Sequence, residues 1–174
     1  MAAVIQLLDE MEIDLCKKVN RLSRRSWLRT TFVVVSLLGD GGYWVAIGLG
    51  MLLVRGTVVL PDIIQIALTC AVGVLLYKQL KQRLVRERPY ITDSDILLGT
   101  APLDRYSFPS GHTLHAVSLT IMYTVVEPLM LIVTLPFAIL VAASRIVLGL
   151  HYPSDVMAGA LLGTLLAVSS TWLF

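Results

Sequence analysis

PLMLIVTLPFAILVAASRIVLGLHYPSDVMAGALLGTLLAVSSTWLF (residues 128–174) holds the decision about the fold. Two apolar runs, 128–150 and 155–174, flank a short polar hinge that carries His151 and Asp155. A helix needs about 20 mostly apolar residues to cross a bilayer core, and each run supplies them. Glu127-Pro128 makes a tight turn before the first run, because proline is favoured at a helix's first position. One residue breaks the pattern. Arg145 stands within a strongly apolar run, where a charge needs a reason.

The rest of the chain agrees that its solvent is mostly lipid. Of its 174 residues 56% are hydrophobic and 15% charged, with a mean hydropathy of +0.79; a soluble domain is about 25% charged. The net charge of +2 makes no case for a nucleic-acid partner. Cys16 and Cys70 lie far apart, which is neither a disulfide framework nor a metal site. Asp9, Glu10, Glu12 and Asp14 occupy the place where a cleavable signal would carry bases.

Upstream, Pro61 begins a further span that runs to about Lys81, and Ser110 opens another through Leu114 to Val126. Residues 27–55 are apolar but interrupted by Gly39-Asp40-Gly41-Gly42, which predicts two helical pieces, 27–38 and 42–55, with a break between them. Asp40 at depth is costly unless it is paired or near water. At the N-terminus Val4, Leu8, Met11, Leu15, Val19 and Leu22 recur at helical spacing among charges. Acids come early and Lys17, Lys18, Arg21, Arg24 and Arg25 late, which suits the helix dipole. This predicts an amphipathic helix at the membrane surface, with a helix packed on its own domain as the alternative. The expected fold is an all-α integral membrane protein: one domain over 1–174, with an amphipathic helix at 1–25, then a bundle of about five to six transmembrane helices at 26–174. A polar loop, 85–109, interrupts the bundle and carries prolines 89, 102 and 109. Nothing in the sequence speaks to oligomeric state.

Counting crossings from residue 61 places Lys81, Arg88, Ser110, His151 and Asp155 on one side of the membrane. The three histidines, His112, His115 and His151, fall at or near that face. Histidine moves protons near neutral pH and can act as a nucleophile. Lys81, Arg88 and Arg145 add cations. Phosphoryl transfer is chiefly positioning and charge stabilisation, and arginine's planar fork matches phosphate. Ser110-Gly111 opens a helix whose free N–H groups favour an anion. Each feature has a plainer reading alone: Ser110 as an N-cap, Lys81 and Arg88 as snorkelling charges like Lys78, Arg83 and Arg86, His151–Asp155 as a structural hydrogen bond, His115 as packing. Their convergence on one face favours a phosphate site.

The order Lys81-x6-Arg88-Pro89, then Pro109-Ser110-Gly111-His112, then Ser144-Arg145-x5-His151-x3-Asp155 resembles the three-part signature of the phosphatidic acid phosphatase type 2 superfamily. The compact N-terminus and Asp104-Arg105-Tyr106-Ser107-Phe108 look most like its small polyisoprenoid and presqualene diphosphate phosphatase branch and the bacterial undecaprenyl diphosphate phosphatases. The resemblance implies that His151 attacks phosphorus to form a phosphohistidine, with Asp155 holding the imidazole. It implies that His112 protonates the leaving oxygen and then activates water, and that Lys81, Arg88, Ser110, Gly111 and Arg145 bind the phosphate. No metal or other cofactor is expected, since no carboxylate or histidine cluster has ligand spacing. The implied substrate is a lipid phosphate or polyprenyl diphosphate, undecaprenyl diphosphate first, with phosphatidylglycerol phosphate, phosphatidic acid and lipid A phosphate as alternatives. A vanadium-haloperoxidase-like site and a catalytically silent scaffold or transporter are the readings of other classes. The Lys/Arg-rich loop points to the cytoplasm by the positive-inside rule, but several of those bases serve the phosphate. The resemblance implies an active site on the periplasmic or external face of a bacterial inner membrane.

Overall fold

The computed structural model describes residues 2–173, with side chains from Glu10 onward. Phe174 and the side chains of Val4, Leu8 and Asp9, which enter the expectations above, lie outside the described residues. Every regular element among the described residues is helical. Helix α1 (Ala2–Asn20) is followed by a 3-10 turn (Arg21–Arg24) and by α2 (Ser26–Leu37). A π-helical turn (Leu38–Gly42) joins α2 to α3 (Tyr43–Arg55), and a 3-10 turn (Gly56–Val59) leads into α4 (Leu60–Arg83). After a single turn α5 (Pro89–Thr92) come α6 (Gly111–Val126), a 3-10 turn (Pro128–Met130), α7 (Leu131–Val147) and α8 (Pro153–Leu173).

Among the described residues three stretches are long and apolar enough to cross a membrane: Ser26–Arg83, broken twice, then Pro128–Val147 and Pro153–Leu173. Helix α6 has 16 residues and is enclosed by α4, α7 and α8. Leu114, Ala116, Leu119, Met122 and Tyr123 of α6 form the core with Trp44, Met51, Ile66, Val141 and Ala167. Small residues on α8 let it approach α6 closely. A Cβ at Gly159 would stand 2.5 Å from the Ser110 carbonyl oxygen, and one at Gly163 would stand 2.3 Å from that of Leu114. Outward faces carry Leu53, Val54, Leu75, Ile132, Met157, Leu161 and Trp172, all exposed. In water this would be an outsized apolar patch; in a bilayer it is the lipid contact.

The break at Gly39–Gly42 forms where the sequence predicts it, and Gly41 takes φ 144°, which L side chains rarely adopt. Helix α7 ends earlier than read from hydropathy. The chain reverses at Gly149, whose φ of 73° is left-handed, and the amides of Leu150 and His151 return to the Arg145 carbonyl at 3.0 and 3.1 Å. Apolar pattern alone could not see that turn, because Leu148 and Leu150 are fully buried beyond it.

Helix α1 packs by its more polar side. Cys16, Asn20 and, in the following turn, Ser23 are buried, whereas Met11, Leu15 and Leu22 of the apolar stripe are exposed. Asn20 Nδ2 donates to the carbonyls of Leu97 and Val147, each at 2.9 Å, and its Oδ1 accepts from the Leu97 amide at 2.8 Å. Ser23 Oγ donates to Val147 O at 2.6 Å. The helix therefore clamps the end of α7 against the 85–109 loop. Burial pushes the Cys16 thiol up to about 12, so it is an inert packing group.

Candidate active site

The end of α4 and the loop after it set the first two cations. Lys81, in the last turn of α4, is buried and donates from Nζ to Asp104 Oδ1 at 2.6 Å and to Tyr106 O at 3.1 Å. Lys81 and Arg88 do not share a helix face as a continuous helix would have them do, because α4 stops at Arg83 and Leu84 leaves helical geometry. Arg88 is extended (φ −84°, ψ 152°) at the start of α5, as the following proline requires. Its Nη2 donates to the same Asp104 oxygen at 2.7 Å and to Tyr106 O at 3.1 Å, and its Nε reaches Asp104 O at 3.2 Å. Burial would raise the Asp104 carboxyl, but Lys81 and Arg88 outweigh it and hold the group below the usual carboxylate range.

The turn after α7 sets the histidine. Arg88 Nη1 donates to Leu150 O at 2.8 Å and lies 3.4 Å from His151 Nε2. His151 Nδ1 lies 3.4 Å from Asp155 Oδ2, which also accepts from the Tyr152 amide at 2.9 Å. Asp155 is fully buried at the start of α8. Burial, reinforced by the charges of Arg145, Arg88 and Lys81, pushes the His151 imidazole well below its ordinary range, so it is neutral near pH 7 with a free nitrogen lone pair. Arg145, on the last turn of α7 and 3% exposed, is hydrogen-bonded to Ser36 Oγ of α2. Its Nε is buried without a partner.

Helix α6 supplies the third wall. Gly111 packs against the Tyr77 ring, where an added Cβ would stand 3.3 Å away. Ser110 caps the helix by accepting from the Thr113 amide at 3.4 Å, and its own amide donates to the Asp155 carbonyl at 3.1 Å. It is fully buried and acts as an N-cap, with Gly111 and His112 on the cavity wall beside it. His112 Nε2 pairs with the carboxylate of Asp40 from the π-helical turn. His115, one turn further on, packs edge-on against Tyr77 at 5.9 Å and lines the same cavity.

These side chains meet in one cavity of about 560 Å³. Lys81, Arg88, Arg145, His112 and His151 stand at its polar end, and Val45, Leu49, Leu52, Ile63, Ile66 and Val74 line the remainder. An anion held at the cations would carry an apolar tail into the space between α3 and α4.

Four participants were not picked out from the sequence as site residues: Asp40, Asp104, Arg86 and Glu12. Arg86, read as a snorkelling charge, turns inward. Its Nη1 donates to Asp155 Oδ1 at 2.9 Å and to Ser154 Oγ at 2.7 Å, its Nη2 pairs with Glu12 Oε2 at 2.6 Å, and its guanidinium stacks 3.9 Å over the Tyr152 ring. Glu12 Oε1 also accepts from the Ser154 amide at 2.7 Å, capping α8 from α1. Asp40 had a sequence signal as a charge amid apolar residues, and Asp104 had one in the run Asp104-Arg105-Tyr106-Ser107-Phe108, though neither pointed to a role. Lys78 and Arg83 remain exposed, as snorkelling requires.

The comparisons with known proteins agree with this architecture. The sequence model of the PAP2 superfamily matches residues 62–174. Phosphatidylglycerophosphatase B of Bacillus subtilis (strain 168) is 32% identical over 83% of this chain and 74% of that protein. Undecaprenyl-diphosphatase of Sulfolobus acidocaldarius is 29% identical over 87% of this chain and 73% of that one. The crystal structure of Aquifex aeolicus LpxE superposes with a TM-score of 0.78 at 26% identity, covering 91% of this chain and 93% of that one. The chain is an integral membrane protein that belongs to the PAP2 superfamily of lipid phosphatases.

Proposed function

We propose that the protein removes a phosphate from a membrane lipid through a phosphohistidine on His151, with a polyprenyl diphosphate of the undecaprenyl type as its first substrate. The observation that carries the reading is His151 at the polar end of the cavity, its Nδ1 facing Asp155 and its Nε2 facing Arg88. Lys81, Arg88 and Arg145 bind the phosphate oxygens, and the Gly111 amide at the N-terminus of α6 completes the cradle, with Ser110 holding that terminus as its N-cap. Asp104 offsets one of these three positive charges, and the two that remain match a phosphate dianion.

In the first half-reaction the His151 Nε2 lone pair forms the N–P bond. The P–O bond to the leaving group breaks with its electron pair on oxygen, and His112 gives that oxygen a proton. In the second half, water loses a proton to His112 as its oxygen bonds phosphorus, and the N–P electron pair returns to His151. Asp155 holds the imidazole tautomer and offsets the charge on the phosphorylated ring.

The substrate choice leans on the undecaprenyl-diphosphatase relative and on the largely apolar wall of the cavity away from the cations. Phosphatidylglycerol phosphate is the second reading, favoured by the Bacillus subtilis relative. Further parts of the proposal are one domain over 1–174, α1 lying in the interface with Met11, Leu15 and Leu22 toward lipid, and five to six crossings that count α6. The site is proposed to face the periplasm or exterior of a bacterial inner membrane.

The test is phosphate release by the detergent-purified protein from a panel of lipid mono- and diphosphates, with and without a chelator. Acid-labile label on the protein, lost in His151→Ala together with turnover, is the expected result. Wild-type turnover by His151→Ala, or turnover abolished by the chelator, would overturn the mechanism.

A further inference from the structure

The break between α2 and α3 is more than a kink. The π-helical turn Leu38–Gly42 and the left-handed-side φ of Gly41 cost helix energy inside an apolar stretch. Such turns recur at functional sites. Here the turn delivers Asp40 to His112 Nε2, and Ser36, at the end of α2 that leads into it, meets the Arg145 guanidinium. Gly39 packs against Val141 of α7, where an added Cβ would stand at 3.0 Å, so the turn is held close to the element that carries Arg145. Asp40 lines the cavity within a span, where an ionised carboxylate persists only with a partner.

We infer that Asp40 is a positioning residue for His112, completing a second carboxylate–histidine pair opposite His151–Asp155. The inference rests on the reading above, in which His112 is the general acid. Asp40 orients the imidazole and offsets the Arg145 and Lys81 charges that the ring faces. It thereby favours a His112 that carries the proton required by the leaving oxygen. In the transfer His112 gives up that proton as the P–O bond breaks, and regains one from water in the second half.

A positioning role through His112 is separable from a structural one by the leaving group. An alkyl phosphate needs a proton on its departing oxygen, whereas p-nitrophenyl phosphate departs as a stable phenolate. kcat/KM reports the steps up to leaving-group departure for both. Asp40→Asn is expected to lower kcat/KM on the alkyl lipid phosphate by about 30-fold, within the range of general acid catalysis, and on p-nitrophenyl phosphate several-fold less. Asp40→Glu should recover part of the loss, and His112→Asn should show the same preference more strongly. If His112→Asn shows the preference and Asp40→Asn lowers both substrates equally, or neither, Asp40 does not act through His112. If His112→Asn shows no preference, the general-acid reading falls and takes this inference with it.

Discussion

Gly159 on α8 meets the Ser110 carbonyl so closely that alanine there tests whether helix spacing sets the active-site geometry. An alanine Cβ would lie 2.5 Å from Ser110 O and 3.3 Å from Ser110 Cβ, against 3.4 Å for the start of ordinary contact. The near atom is backbone, so no rotamer change relieves it. Ser110 must retreat by roughly 0.9 Å, at an overpacking cost of about 1–3 kcal/mol. Its amide then leaves the Asp155 carbonyl, now 3.1 Å away. Gly111 and His112 move with Ser110, while His151 stays with the end of α7 and with Asp155. A misplacement of about 1 Å between reacting groups costs on the order of 100-fold in rate. Gly159→Ala is therefore expected to lose 30- to 100-fold in kcat on a lipid phosphate in detergent, with a modest fall in Tm. Gly163→Ala is the control: its Cβ would lie 2.3 Å from Leu114 O, one turn deeper. It should lose at least as much stability and less activity. Wild-type kcat in Gly159→Ala, or equal activity losses in the two variants, would refute the argument that the α6–α8 approach at Ser110 sets the catalytic distances.

Arg86→Ala should lower kcat by about 100-fold and stability by about 3 kcal/mol, because the fully buried Asp155 loses the cation that neutralises it; Arg86→Lys should recover part of both, measured by phosphate release and thermal unfolding. Asn20→Ala leaves the Leu97 amide and carbonyl without their partner, while Ser23 still donates to the Val147 carbonyl, and should cost about 2 kcal/mol, read from the denaturation midpoint. The pH dependence follows from His151, whose folded-state pKa lies well below 6.5. Below pH 6.5 the unfolded chain binds a proton that the folded site refuses, so stability falls as pH drops through that window; the Tm of wild type should therefore decline more steeply from pH 7.5 to 5 than that of His151→Gln, and parallel slopes would contradict it.

The proposed catalytic residues were legible because they are chemically rare in an apolar chain. Arg145, His151 and Asp155 stand out against leucine and valine, and the apolar runs on either side of the turn at His151 could be read from hydropathy. The supporting groups were not legible for a definite reason. Arg86 sits in the same run of bases as Lys78 and Arg83, and only the departure from helix at Leu84 turns it toward Asp155 rather than outward. Glu12 lies 143 residues before Asp155 on a helix whose apolar stripe draws the reader to the opposite face. Asp104 looks like an ordinary loop acid until Lys81 and Arg88 close on one of its oxygens. Asp40 is the intermediate case: its cost in lipid signalled that a partner must exist, but not which one. In each of these four residues the side chain's direction is set by a backbone irregularity or by packing between distant segments, and neither leaves a periodic trace. The same division explains why the proposed nucleophile could be named from the resemblance while the groups that would orient it emerge only in the folded chain. The i to i+4 interval joins His151 to Asp155 through one hinge, whereas Glu12, Arg86 and Asp155 are joined only once α1, the loop after α4 and α8 have packed.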